Sequence, residues 1–194
     1  EAIAQYLRWQ QAGFHIKIAI NISAENLMDK SYSDYVIGLK NKYDLPDNDI
    51  TLEVTEDAVV ADPEQAAEML AYLRENGFKL SIDDYGTGYS SLAQLKQLPV
   101  QELKIDRSFV QHLMNSDNDK IIVRSTIELA HNMGLSVVAE GIEDEATLFW
   151  LKEQSCELAQ GYFISRPLPE ASFDSWLIES GYGIEKLSNI SEGC

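Results

Sequence analysis

Two adjacent carboxylates, Asp83 and Asp84, close an apolar run in the segment SIDDYGTGYSSL at residues 81–92. Like charges a few ångströms apart are unfavourable when both groups are ionised, unless a cation lies between them. One explanation is a turn, in which Asp84 forms an Asx-turn ahead of Gly86 and both side chains face water. The other is a metal site, because Mg²⁺ and Mn²⁺ prefer oxygen ligands whereas zinc prefers Cys and His.

Other polar residues favour the metal site, because each predicted strand carries one near its end. Any single one could be explained by a turn or by solvent exposure, but together they would form a carboxylate-rich pocket with one lysine. Such a pocket can hold two metal ions about 3.5–4 Å apart, which clamp the attacking and leaving oxygens in phosphoester hydrolysis. The predicted strands cover residues 16–23, 50–56, 79–84, 102–107, 135–142 and 158–164, and the polar residues are Asn21, Glu53, Asp83, Asp84, Lys104, Asp106, Glu140 and Gln160.

Helical patterns separate these strands. Two examples are residues 23–44, with Ser23 as the N-cap, and residues 62–77, with Asp62 as the N-cap. This alternation predicts right-handed βαβ crossovers and a parallel sheet, which can be an open doubly wound sheet or a closed barrel. An open sheet concentrates its site on a few strands at one switch point, whereas here all six strand ends are polar. We therefore expect an α/β fold, a TIM-like (β/α) barrel that is N-terminally truncated, because eight strands are usual.

Composition limits the classes of partner. The chain of 194 residues is 45% hydrophobic and carries 32 acidic against 15 basic residues, a formal net charge of −17. Such a surface repels DNA and RNA polymers, and an anionic ligand would need cations to mediate its contact. Cys156 and Cys194 lack metal-ligand spacing and indicate a reducing, cytoplasmic environment. The predicted domain covers residues 1–182, and residues 183–194 are predicted to be a C-terminal tail.

The chain resembles an EAL domain, the cyclic di-GMP phosphodiesterase module of bacterial signalling proteins. The resemblance rests on the segments NISAENL, LEVTE, DDYGTGYSSL, LKIDRSFV, VVAEGIE and AQGYFISRPLP, which occur in family order between residues 18 and 169. It implies a TIM-like barrel whose first strand runs against the others. It also implies metal-dependent hydrolysis of cyclic di-GMP to linear pGpG.

The resemblance also implies roles for individual residues. Asp84, Lys104 and Glu140 would be catalytic, and Glu56 would anchor the loop DDYGTGYSS, which couples dimerisation to activity in the family. Tyr85 stands where phenylalanine is usual. The cofactors would be two Mg²⁺ or Mn²⁺ ions, and the partners a second copy of the chain and an upstream sensor or GGDEF-type domain, in a parent protein that could carry a membrane anchor. The metal ligands would be Asn21, Glu53, Asp83, Asp84 and Glu140, and the substrate-binding residues Asp106, Glu143 and Gln160.

One departure from the family concerns the Glu-Ala-Leu signature, whose glutamate is a metal ligand. Glu1-Ala2-Ile3 looks similar, but it runs directly into the helix that precedes the strand of Asn21, where the family has further chain. We therefore expect a fragment of a longer protein without its first strand. Two other functions remain open at this point: a non-catalytic receptor for cyclic di-GMP, and a scaffold that binds neither nucleotide nor metal.

The expected missing strand gives a first prediction. A barrel without one strand exposes unpaired backbone N–H and C=O groups at two edges and lacks one carboxylate ligand. We expect the 194-residue chain to be weakly active or inactive and to self-associate, and the same chain extended upstream through a Glu-Ala-Leu strand to be active. Turnover at equal concentration with saturating Mn²⁺, together with the mass in solution, compares the two. Equal turnover with a monomeric short form would contradict this expectation.

Overall fold

The computed structural model describes residues 1–60, 62–86 and 92–180. Its contacts divide the chain into two compact units, residues 19–166 and residues 1–18 with 167–194. The predicted tail at 183–194 lies outside the described residues, as does the second half of the loop DDYGTGYSS.

The larger unit is built on a six-stranded sheet whose strands follow one another in chain order. Pairing is parallel from the second strand to the sixth, as the alternating pattern predicts. A doubly wound sheet reverses its strand order at a switch point, and this sheet does not, so its order is that of a barrel. The strands are β1 (Ile18–Ile22), β2 (Ile50–Thr55), β3 (Lys79–Tyr85), β4 (Glu102–Ile105), β5 (Ser136–Ala139) and β6 (Leu158–Ala159).

Helices connect consecutive strands, and capping side chains set their starts. Asp62 accepts a hydrogen bond from the backbone N–H of Gln65 at 3.1 Å, and Pro63 begins that helix, as predicted. The helix predicted at 23–44 is in fact two helices, because Asp29 leaves the helical conformation and caps a second one. The helices are α1 (Ala2–Gln11), α2 (Ala24–Met28), α3 (Lys30–Lys42), α4 (Glu56–Val60), α5 (Pro63–Glu75), α6 (Leu92–Leu95), α7 (Arg107–Val110), α8 (Asp117–Asn132), α9 (Glu145–Glu153) and α10 (Glu170–Glu179), with a 3₁₀ turn at Leu113–Asn115.

The central strands are buried almost continuously, as expected when helices cover a parallel sheet. All four residues of β4 and the first five of β2 are buried. Glu53 and Lys104 alternate with apolar neighbours, which could have indicated a solvent-facing side of an edge strand. Both side chains are instead inside the fold, Lys104 with only 3% of its surface exposed.

The sixth strand is shorter than predicted, since only Leu158 and Ala159 pair with β5. The chain then turns, with the backbone N–H of Ile164 donating to the carbonyl of Gly161. A Cβ atom at Gly161 would lie 2.2 Å from the backbone nitrogen of Ile142. Only glycine allows this approach, and the contact brings Gln160 next to the segment that follows β5.

The smaller unit contains α1 and α10, the second of which the sequence analysis did not predict. Trp9 joins them, because its indole N–H donates to Asp174 at 2.7 Å and its ring lies 5.1 Å from that of Phe173. Arg8 forms an ion pair with Glu170 at 3.0 Å. Among the helices of residues 1–60, 62–86 and 92–180, none combines the length and the apolar character needed to cross a bilayer.

Candidate active site

A β-bulge in β3 places Asp83 and Asp84 together. Ile82 pairs with Leu103 and Tyr85 pairs with Ile105, so two residues of β3 stand opposite the single residue Lys104 of β4. Neighbouring side chains of a regular strand point to opposite faces of the sheet. The extra residue breaks that alternation, as bulges beside active sites do. Both aspartates can therefore reach one site.

The bulge depends on an unusual backbone conformation at Asp84. Its φ is +56°, in the left-handed region that only a small fraction of non-glycine residues adopt. Asp and Asn are enriched there because their short polar side chains can bond locally. The neighbouring Asp83 carboxylate accepts a hydrogen bond from the backbone N–H of Asp84 at 3.0 Å, which supports the turn.

Lys104 lies at the centre of the carboxylates. Its Nζ is 3.0 Å from Glu53, 2.9 Å from Asp83 and 2.7 Å from Glu140, so three strands converge on one ammonium group. Burial alone would lower the pKa of Lys104, but hydrogen bonds to Glu140 and Asp83 raise it above the ordinary value. Lys104 therefore stays charged and acts as a fixed cation within the acidic group.

The pKa values of the surrounding acids show the effect of crowding. Burial raises the pKa of Glu53 and of Glu140, and Lys104 offsets part of each shift. Burial also raises the pKa of Asp84, as do the charges of Asp83 and Asp106. Burial also favours a higher pKa at Asp106, but the hydrogen bonds from Ser108 favour a lower one. Together with the other contacts they outweigh burial, and the pKa of Asp106 falls below its usual value. Lys104 alone does not compensate all of these acids, and further positive charge would stabilise their ionised forms.

Three of the carboxylates are close enough to share a cation. One oxygen from each of Asp83, Asp84 and Glu140 lies within 4.8 Å of the others. Such an all-oxygen set is suited to a hard divalent ion such as Mg²⁺ or Mn²⁺. The two remaining predicted ligands are less closely placed: Glu53 is outside this group, and Asn21 lies on β1 with an exposed side chain.

A groove of about 160 Å³ adjoins the acidic group, because Glu140 is one of its lining residues. Glu143 and Gln160, predicted from the resemblance, line it with exposed side chains, while Asp106 lies beside Asp84 and caps α7. Besides two glycines, the sequence analysis missed three other lining residues. Two of them lie in segments it had quoted, LKIDRSFV and AQGYFISRPLP, but no charge or spacing rule singled them out. They are Arg107, Gln111 and Tyr162.

Glu56, the predicted loop anchor, is buried and accepts a hydrogen bond from the backbone N–H of Gly86 at 3.0 Å. Gly86 is the last described residue before the gap at 87–91. The contact therefore holds the first part of the loop, directly after the bulge. The rest of the loop lies outside the described residues.

The chain is similar to known proteins of one family. The family model described as EAL domain matches residues 1–167. The chain is 44% identical over 162 residues to the cyclic di-GMP phosphodiesterase NbdA of Pseudomonas aeruginosa, a match that covers 84% of this chain and 21% of that protein. The chain thus spans about a fifth of the length of this relative.

Two solved structures have the same fold. The EAL domain of Mycobacterium smegmatis DcpA superposes with a TM-score of 0.86 and 40% identity, over 91% of this chain and 80% of that one. The PaMucR phosphodiesterase, in a complex with c-di-GMP, gives a TM-score of 0.82 and 36% identity, over 87% and 69% of the two chains. These likenesses confirm the TIM-like barrel as the fold class.

The position of Lys104 gives a second prediction. Lys104→Met should leave two buried carboxylates and the half-buried Glu140 without their cation, and removal of one partner from a buried ion pair costs about 3–5 kcal/mol. We expect the free energy of unfolding at neutral pH to fall by this order, and Mn²⁺ to restore part of the loss. Urea unfolding with and without Mn²⁺ measures both effects.

Lys120→Met is the matched control, because Lys120 is 3.7 Å from an Asp117 side chain that is 98% exposed. Such surface pairs contribute about 0–1 kcal/mol. A Lys104→Met protein as stable as wild type without metal would show that the carboxylates do not depend on this cation.

Proposed function

The chain belongs to the EAL domain family, and on that premise we propose that it hydrolyses cyclic di-GMP to linear pGpG with divalent cations, in bacterial second-messenger signalling. The observation that carries the proposal is the convergence of Asp83, Asp84 and Glu140 around one position, beside the permanently charged Lys104. A receptor that only binds the nucleotide has no need for this arrangement. Phosphoester hydrolysis does, because negative charge develops on the phosphate oxygens and on the attacking water.

The acidic group supplies the cation ligands in this proposal. Asp83, Asp84 and Glu140 would form the centre of the site, and Glu53 and Asn21 would complete it from β2 and β1. Bound divalent cations would activate a water molecule and neutralise the phosphate. The raised pKa values of Asp84 and Glu140 fit this role, because a cation replaces the proton that these crowded acids otherwise favour.

Lys104 has a different role from a general base. A base must give up its proton near the working pH. The pKa of Lys104 is raised above its ordinary value by hydrogen bonds to Glu140 and Asp83, against the opposing effect of burial, so it keeps its proton. We infer that its ammonium group orients the carboxylates and stabilises negative charge on a phosphate oxygen. Glu140, which contacts Lys104 and lines the groove, is the candidate to orient the water.

The substrate would extend from the acids into the groove. Arg107 can bind a phosphate oxygen, and the Gln160 amide and the Glu143 carboxylate can hydrogen-bond to a guanine or ribose. Cations are needed here because both the ligand and the chain, with its net charge of −17, are anionic. The complex of the PaMucR phosphodiesterase with c-di-GMP supports this class of ligand.

The proposal also covers the setting of the domain. The family resemblance supports a homodimer, a cytoplasmic location, and a sensor or GGDEF-type domain elsewhere in the parent chain. Light scattering of the purified chain tests the dimer.

Our third prediction tests catalysis directly. Asp83→Asn keeps the side-chain volume but loses a charge that faces both Lys104 and the proposed cations. In the chain extended upstream through a Glu-Ala-Leu strand, we expect Asp83→Asn to fold and to lose most of the Mn²⁺-dependent conversion of cyclic di-GMP to pGpG, measured by chromatography of the nucleotides. Asp117→Asn, at a side chain that is 98% exposed, is the matched control and should keep wild-type turnover.

Binding of cyclic di-GMP, measured with and without Mn²⁺, separates the alternatives. In the chain extended upstream through a Glu-Ala-Leu strand, tight binding without turnover would favour the receptor, and absence of binding would favour the scaffold. Undiminished turnover by folded Asp83→Asn would contradict the proposed role of the acids.

Our fourth prediction concerns the choice of metal. Ca²⁺ takes about 6–8 oxygens at about 2.3–2.6 Å in variable geometry, whereas Mg²⁺ needs octahedral geometry at about 2.0–2.1 Å. Because the longer bonds and variable geometry of Ca²⁺ would spread the carboxylates and displace the attacking water, we expect Mg²⁺ and Mn²⁺ to support hydrolysis at Asp83, Asp84 and Glu140 and Ca²⁺ to inhibit it by competition. Turnover across Ca²⁺ concentrations at fixed Mg²⁺ measures this. Equal turnover with Ca²⁺ alone would show that the geometry does not discriminate.

A further inference from the structure

Gly86 connects the bulge to two residues on other elements. Its backbone N–H donates to the buried Glu56 carboxylate of α4 at 3.0 Å. A Cβ atom at Gly86 would lie 3.0 Å from Cε2 of Phe109 and 3.5 Å from Cζ, so the phenyl ring covers the glycine. Gly86 also has a φ of +99°, which other residues rarely adopt. The chain leaving the bulge is thus held by a carboxylate and by an aromatic ring.

The position of the ring depends on the same strand that supplies Lys104. β4 ends at Ile105, and Asp106 then caps α7 by accepting a hydrogen bond from the backbone N–H of Ser108 at 3.0 Å. The N–H of Phe109 donates to the carbonyl of Asp106 at 3.2 Å, which starts the turn that carries the ring. The lysine and the ring are therefore positioned by one short segment, and Asp106 itself lies in contact with Asp84.

We propose that Phe109 is a positioning residue for the candidate cation site. Its ring presses Gly86 toward Glu56 and so holds the left-handed backbone of Asp84, two residues earlier. The separation of the Asp83, Asp84 and Glu140 oxygens depends on that backbone. This inference rests on the proposed function in one respect, that the acidic group binds a divalent cation. It goes further, because it says that an apolar side chain, which is not a ligand, keeps the carboxylate oxygens at the spacing that a cation needs.

The test is Mn²⁺ binding by Phe109→Leu, measured from the electron paramagnetic resonance signal of free Mn²⁺. Leucine keeps an apolar side chain but lacks the flat ring that contacts Gly86. We expect the Mn²⁺ dissociation constant to rise about tenfold, the lower end of the loss seen when a partner outside the ligand shell is removed. Circular dichroism should show the wild-type helix content.

Phe78→Leu is the matched control for a general loosening of the fold. Phe78 is fully buried directly before β3, at the end of the strand away from the bulge. The substitution should lower the melting temperature more than Phe109→Leu does, and leave the Mn²⁺ dissociation constant unchanged. An unchanged constant in Phe109→Leu, or an equal rise in both variants, would overturn the proposal.

A double-mutant cycle tests the ring–glycine contact itself. In the wild-type background, Gly86→Ala places a methyl group against the ring and strains the positive φ. In the Phe109→Leu background only the strain remains. We expect Gly86→Ala to weaken Mn²⁺ binding less in the second background, a non-additive result typical of residues in contact. Additive losses would mean that the ring does not act through Gly86.

These readouts separate the inference from the proposed function, because Mn²⁺ binding needs no turnover. If the chain extended upstream through a Glu-Ala-Leu strand binds Mn²⁺ but does not hydrolyse cyclic di-GMP, the function is refuted, and the variants still decide the role of Phe109. A wild-type protein that binds no Mn²⁺ would refute both.

Discussion

The contact between Lys104 and three carboxylates is the interaction on which the rest of the site depends. Four charged side chains from neighbouring strands meet inside a fold whose interior is mostly apolar. Isolated charges are not tolerated in such surroundings, but opposite charges with well-directed hydrogen bonds are. One ammonium group thus allows the sheet to bring acids together, and it leaves enough uncompensated negative charge to attract divalent cations. Both the packing of the strands and the proposed hydrolysis therefore require a positive charge at Lys104.

The bulge in β3 is the second requirement, and it explains the pair of aspartates with which the sequence analysis began. Two consecutive side chains of a strand cannot both face one site unless the strand is locally irregular. The positive φ of Asp84 is energetically unfavourable, and it persists because surrounding contacts hold the backbone in place. Residues with such strained backbone conformations cluster at functional sites. Adjacent carboxylates are useful here only because the backbone between them is not regular.

The sequence predicted the strands and the parallel sheet because β-branched runs and helical patterns are local signals. It also predicted that Asp83, Lys104 and Glu140 come together, since parallel strands end on the same side of a sheet. Asn21, which was expected to join them, has an exposed side chain on β1. It missed the break at Asp29, because an Asp inside a helical pattern can either stay helical or cap a new helix. The bulge was missed because register depends on the neighbouring strand. The sequence predicts a catalytic role for Lys104, and the structure shows that it pairs with the acids, a contact that only the folded chain forms. Arg107 and Tyr162 were missed because the groove that gives them a role forms only between folded segments.

The sequential strand order also has a consequence for how the chain folds. Each strand pairs with the one made just before it, so the sheet can grow strand by strand as the polypeptide leaves the ribosome, N-terminal part first. Glu53 and Asp83 emerge first, Lys104 follows, and Glu140 comes last. The cation is therefore synthesised before the third of its acids. A nascent sheet built in this order never has to bury all three acids before their counter-charge is available.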